Sequence, residues 1–234
     1  MRKFIGLALL VLGALLQTSP APLRALTLAP SGLAPVPLLA GTVPVSLPSR
    51  ADFNRDGVPE SLALVDGRLA ILSAGHSVWQ SPAGWTILQA GITDLNHDGV
   101  PEAALLVWRP FRPWPVDQWL PHGGRIAGFH DAAGNSCQVI LIGWRGSEYG
   151  ELWAGSALAE PVRSFAVADL NGDQFQELVT LDGSYADPRS APARALKVWQ
   201  WNGFGFTVVS TMEGIFYNMA IVQARDGRDL ILVP

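Results

Sequence analysis

The sequence predicts an all-β fold on three observations. Its apolar stretches are short and stop at Gly, Pro, Asn or Asp, which reads as strands separated by turns. No capped run with a 3.6-residue period follows residue 25, so no helix is expected there. One nine-residue acidic stretch recurs three times between apolar stretches, at Asp52–Glu60, Asp94–Glu102 and Asp169–Glu177. Such internal repetition is the signature of a repeat architecture.

The units can be laid out strand by strand. Before the acidic loops run Val45–Ala51, Thr86–Thr93 and Val162–Ala168; after them run Ser61–Val65, Ala103–Trp108 and Leu178–Leu181. The third stretches are Arg68–Leu72, Gln138–Trp144 and Ala195–Trp201. Each ends in a Gly-containing turn: Ala74-Gly75, Arg145-Gly146 and Asn202-Gly203. Asn-Gly between apolar runs is a strong hairpin signal. Ser77–Gln80, Glu151–Gly155 and Phe206–Thr211 close the units. Four short antiparallel strands per unit match the blade of a small β-propeller, and Ile215–Gln223 with Asp229–Val233 begin a further blade, giving about four. The turn between those last two, Arg225-Asp226-Gly227-Arg228, follows Val222 and Ala224 where polar ligands would stand, so it is expected to bind no metal.

That last blade lacks two strands. Leu26–Val43 either supplies them and closes the ring, or remains a linker and leaves the ring open. Pro22, Pro30, Pro35 and Pro37 weigh against regular strands, because proline lacks the donor a central strand needs. An open blade would offer sheet edges to a partner chain. The expected organisation is a signal peptide over 1–25, a linker or closing strands over 26–44, and a propeller domain over 45–234 with an insertion at 109–136.

The leader reading rests on Arg2 and Lys3 followed by the uncharged run Phe4–Leu16. That run is shorter than the roughly 20 residues a membrane span needs. Ala21 and Ala25 are the alternative cleavage points. The chain is therefore expected to be exported, to the extracellular space, cell surface or periplasm. It has no membrane span unless the leader stays uncleaved. The 234 residues are 49% hydrophobic, which suits one globular domain with a sizeable core. A net charge of −4, with no basic run interleaved with aromatics, argues against nucleic acid as a partner. Cys137 is the only cysteine, so no intramolecular disulfide can form, and its place at a strand start predicts burial.

The acidic loops carry the clearest chemistry. Each reads Asp, Asn, Asp and Glu at positions 1, 3, 5 and 9, and together they hold nine of the 20 acidic residues. Oxygen-bearing side chains on alternate residues of a tight loop converge on one point. A hard cation takes about six to eight oxygens from carboxylates, amides, carbonyls and water, so the expected ion is calcium. Gly57 and Gly99 at position 6 permit the sharp turn. An EF-hand is excluded: its position-12 Glu is replaced by Ala63, Leu105 and Thr180, and the flanks are strands.

The pattern Asp-x-Asn-x-Asp-Gly-x-x-Glu between strands resembles the FG-GAP or VCBS repeats, the blades of integrin-alpha-like propellers and of many bacterial surface proteins. The resemblance implies ligands at positions 1, 3, 5 and 9 plus the carbonyl of position 7. These are Asp52, Asn54, Asp56, Val58 and Glu60; Asp94, Asn96, Asp98, Val100 and Glu102; and Asp169, Asn171, Asp173, Phe175 and Glu177. Two departures stand out. The family often has Asp at position 9, whereas Glu here reaches further. Position 6 of the third loop is Gln174, where a left-handed backbone costs about 1 kcal/mol, so this site is expected to be the weakest of up to three. His97, at position 4, is expected to point outward into solvent.

The insertion Arg109–Ser136 carries Trp114, Trp119, His122, Arg125, His130 and Asp131. In a propeller it lies at the end opposite the acidic loops, together with Tyr185, Asp187, Arg189 and Arg194 of the third unit's long connection. Long loops on a rigid scaffold often carry function, and Trp, Tyr and Arg are common interface anchors. Alternatively, these loops pack on one another and cover that end. His122, His130 and Asp131 match no known metal-ligand spacing. Trp79, Trp85, Trp144, Trp153, Trp199 and Trp201 recur at blade strands and are expected to fill the gaps between blades.

No Gly-x-Ser-x-Gly, His-Glu-x-x-His or P-loop is present, so the sequence favours no enzyme. The expected function is a calcium-binding surface module that engages a protein or carbohydrate at the cell surface. The alternatives are an enzyme acting on a glycan or other surface polymer at the insertion end, and a structural subunit whose blade a partner completes.

Overall fold

A computed structural model of the protein describes residues 23–112 and 128–234. Among the described residues there are seventeen strands and no helix, hence no helix able to cross a membrane. The leader run Phe4–Leu16 lies outside the described residues.

The strands form four antiparallel sheets. The first unit is β4 (Arg50–Ala51), β5 (Glu60–Val65), β6 (Arg68–Ser73) and β7 (His76–Gln80), paired in that order. The second is β8 (Thr86–Thr93), β9 (Glu102–Pro110), β10 (Asn135–Trp144) and β11 (Tyr149–Ala154). The third is β12 (Val162–Ala168), β13 (Glu177–Asp182), β14 (Ala193–Trp201) and β15 (Phe206–Phe216). The fourth sheet has five strands and draws on both ends of the described chain. Its order is β2 (Gly32–Val36), β1 (Arg24–Ala29), β17 (Asp229–Val233), β16 (Ala220–Gln223) and β3 (Val43–Pro44).

Residues 24–29, 32–36 and 43–44 therefore belong to a sheet. β1 pairs with β17 through Arg24↔Val233, Ala25↔Leu232 and Leu26↔Ile231, and β2 pairs with β1. The prolines do not forbid this, because Pro35 and Pro44 sit on the two edge strands of the sheet, where a missing donor costs least. The strand expected over Val45–Ala51 shrinks to Arg50–Ala51, in keeping with Pro48 just before it. The stretch expected from Ile215 divides instead: β15 runs on to Phe216, and β16 starts at Ala220. The β9–β10 hairpin extends to the pair Asn135↔Pro110, so the second unit's insertion narrows to 111–134.

Three apolar clusters hold the sheets together. One joins Phe53, Leu69 and Ile71 of the first unit to Ile92, Leu105 and Ile140 of the second. Another joins Leu95, Leu106 and Leu141 to Phe165, Val167 and Leu178 of the third. A third joins Leu181, Leu196 and Val198 to Leu26, Ile221 and Ile231 of the two-ended sheet. Burying a large aliphatic or aromatic side chain stabilises by about 1.5–3 kcal/mol, so these contacts fix how the sheets sit together. Tryptophan fills a gap between units as expected: Trp153 of β11 meets Trp201 and Phe206 of the third sheet edge-on, at 5.8 and 5.1 Å. Leu47, between β3 and β4, packs on Gly91 of β8 beside Phe165 of β12, so the first strands of the second and third units meet around it. Gln89 ties β8 to β12 by accepting from the Phe165 N–H (2.9 Å) and donating to its carbonyl (2.7 Å).

Candidate functional site: the acidic loops

Every acidic loop joins the first strand of its sheet to the second, so each emerges from the corresponding end. All three have one internal design. The position-1 carboxylate accepts the backbone N–H groups of positions 5 and 6: Asp56 and Gly57 on Asp52, Asp98 and Gly99 on Asp94, Asp173 and Gln174 on Asp169, all at 2.8–3.1 Å. The position-3 amide oxygen accepts the position-5 N–H, and the position-5 carboxylate accepts the position-7 N–H. Short polar side chains folded onto their own backbone in this way set the turn. They also leave the oxygens of positions 1, 3 and 5 on one loop, each with a lone pair to spare.

Two residues per loop take a left-handed backbone, not one. Position 6 does so in Gly57 (φ 86°), Gly99 (φ 74°) and Gln174 (φ 72°), and position 4 in Arg55 (φ 62°), His97 (φ 58°) and Gly172 (φ 81°). The third loop has moved its glycine from position 6 to position 4. Every loop thus carries one non-glycine residue in this conformation, and Gln174 adds no strain that Arg55 and His97 lack.

The position-9 glutamates begin β5, β9 and β13, and they are 0%, 0% and 1% exposed. Each accepts the backbone N–H of position 2 at 2.8 Å: Phe53 on Glu60, Leu95 on Glu102, Leu170 on Glu177. Beyond that they differ. Glu60 Oε1 and Glu102 Oε2 are buried with no hydrogen-bond partner. In the third loop, Glu177 Oε1 accepts from Asn171 Nδ2 and from Gln200 Nε2, both at 3.0 Å. Burial pushes the Glu102 carboxyl up to about 8, helped by the nearby Asp94 and Asp98 and opposed by the bonds from Leu95 and Thr93. Burial also raises Glu177, against its bonds from Gln200 and Leu170. Tyr149 of β11 stands beside Glu60, and its phenol is raised by burial first and then by that carboxylate.

The donor set fits a hard divalent cation. Carboxylates, an amide and a backbone carbonyl are oxygen ligands, and in the first two loops a buried carboxylate oxygen stands without a partner. Among the described residues, no three His, Cys, Asp or Glu side chains are grouped as a metal site on their own, so a cation would depend on the Asn and carbonyl oxygens as well. The fourth turn is consumed internally, since Arg228 forks onto Asp226 at 2.6 and 3.0 Å. Asp229, at the start of β17 as the glutamates start their strands, accepts the Asp169 N–H at 3.1 Å.

The loops also touch one another. His97 is half-buried and does not simply point into solvent: its Nε2 lies 3.0 Å from the Gln176 carbonyl, and its ring lies 4.7 Å from that of Phe175. Gln176 Oε1 accepts the Asp94 N–H at 3.1 Å. Arg55 reaches the Gly99 carbonyl at 3.5 Å. These links were missed in the sequence because they join residues far apart in the chain. The one local signal was Gln176 standing where the first two loops have Pro59 and Pro101.

Trp114, Trp119, His122 and Arg125 lie outside the described residues. At the other end of the sheets, the remaining candidates come together and satisfy each other. Arg189 pairs with Asp131 at 2.8 Å and covers the Trp108 ring at 3.9 Å. Asp131 also accepts the N–H groups of Ala133 and Asn135. Tyr185 accepts the Cys137 N–H at 3.0 Å and donates to the Leu158 carbonyl at 2.9 Å. His130 packs on Phe111, and Arg194 pairs with Asp187 at 2.7 Å. Cys137 is buried as expected, and burial pushes its thiol up to about 12. A charged group unforeseen in the sequence lies beside this end: Lys197 bridges Glu160 and the buried Asp182, each at 3.0 Å. No protein-family model matches the chain, and no curated protein matches it.

Proposed function

We propose that the protein is an exported, calcium-stabilised propeller of the FG-GAP or VCBS kind, with four blades closed by the pairing of its two ends. Its acidic loops hold structural calcium, and its opposite end engages a protein or carbohydrate at the cell surface. The observation that carries the calcium reading is the pair of buried, unpartnered oxygens on Glu60 and Glu102. A buried carboxyl oxygen without a partner is costly, and a bound cation would offset that cost. Asp52, Asn54, Asp56, Glu60 and the Val58 carbonyl would hold the first ion. Asp94, Asn96, Asp98, Glu102 and the Val100 carbonyl would hold the second. The third set, Asp169, Asn171, Asp173, Glu177 and the Phe175 carbonyl, stays the weakest for a new reason: Glu177 is already satisfied by Asn171 and Gln200.

Closure is supported by β1 and β2 completing the sheet of β16 and β17. Export is supported by the leader alone, and β1 favours cleavage after Ala21, because cutting after Ala25 would remove residues that pair with β17. The test is thermal melting of the exported chain in calcium and in EDTA. An ion that binds only the folded state raises the midpoint, by about 2.7 kcal/mol of stability per site at a hundredfold excess over Kd. Coincident melts in the two buffers would sink the calcium reading.

A further inference from the structure

Between the second and third loops the contacts fall on ligand-bearing segments from both sides. Gln176 lies between Phe175 and Glu177 of the third loop. Its side-chain oxygen takes the N–H of Asp94 and its carbonyl faces His97 Nε2, so it holds the second loop at positions 1 and 4. The His97 ring lies against Phe175. The first and second loops are joined differently. Pro101 occupies the position of Gln176, and among the described residues the polar link is the long, exposed reach of Arg55 to Gly99. A cleft of about 230 Å³, lined by Asn54, Asp98, Val100 and Trp144, separates those two loops.

We infer that Gln176 and His97 are positioning residues that couple cation binding at the second loop to the third, while the first loop binds independently. This rests on the calcium reading of the loops. With Gln176 fixed on Asp94 and His97, ordering the third loop places the backbone that aims Asp94, Asn96 and Asp98. By linkage, filling the second loop favours the third to the same degree.

The experiment is a calcium titration of the full chain labelled with 15N-glycine. Gly57, Gly99 and Gly172 each donate an N–H to the position-1 carboxylate of their own loop, so each reports one site. In Asp98→Ala, the midpoint at Gly172 should rise about fivefold or more, because the tighter second loop is the one filled first, while Gly57 moves less than about twofold. Gln176→Met, similar in length but lacking the acceptor, should shift Gly172 in the same direction and leave Gly57 in place; it carries the test if Asp98→Ala does not fold. An unmoved Gly172 midpoint in the folded variants, or equal movement of Gly57 and Gly172, would overturn the coupling with the calcium reading intact. If no glycine amide responds in the native chain, the calcium reading fails and the coupling with it.

Discussion

The two ends of the sheets differ in what stands beside their buried carboxyl groups. At the acidic end, Glu60 and Glu102 each keep an oxygen out of water and without a partner. At the insertion end, Asp182 Oδ1, Trp108 Nε1, Gln138 Oε1 and Arg163 Nε are buried without partners too, but Lys197 pairs with the other Asp182 oxygen at 3.0 Å, and Asp131, Tyr185 and Arg189 meet their needs within the fold. A buried carboxyl with no cation beside it carries a cost that a bound cation can remove, whereas one already paired with a lysine gains less. The contrast marks the acidic end as the one with carboxyl groups left for a cation to meet.

The largest expected effect breaks the acidic end at its second loop. Asp98→Ala should lose about 2–3 kcal/mol in calcium at a hundredfold excess over Kd and far less in EDTA. Asp173→Ala should lose less in calcium, because Glu177 already has its partners. Chemical denaturation in both buffers would read this, and equal losses from the two variants would erase the distinction between the loops. Glu102→Gln sharpens the same point. Removing the acid while keeping its acceptor oxygen should leave the protein about as stable as the native chain in EDTA, yet less stable in calcium; a loss in EDTA would mean that the carboxyl serves the turn alone. The smallest effect belongs to the other end. Arg189→Ala removes a partly exposed ion pair and a cation–π contact, which should cost about 1 kcal/mol whether or not calcium is present. A calcium-dependent loss in that variant would blur the contrast between the ends.

Much of the architecture was legible because the strands alternate with turns of strong local chemistry. β8, β12 and β17 fall where the apolar runs place them, since their ends are set by the acidic loops and by Asp-Gly. The N-terminal strands were less legible, because proline argues against a strand only when the strand is central, and edge position is a property of the folded sheet. The acidic loops were legible as a pattern but not in their strain. Sequence reasoning marked position 6 and overlooked position 4, so the exchange of glycine between Gly172 and Gln174 read as a defect when it is a relocation. Satisfaction of Glu177 by Gln200, from a different strand of its sheet, had no local signal at all.

Whether the acidic loops are cation sites can be read from the calcium content of the purified chain after equilibrium dialysis against calcium, measured by mass spectrometry of the metal. At least two tightly held ions per chain are expected, from the loops whose glutamates lack partners, with one ion fewer in Asp98→Ala. A chain that retains no calcium would contradict the calcium reading.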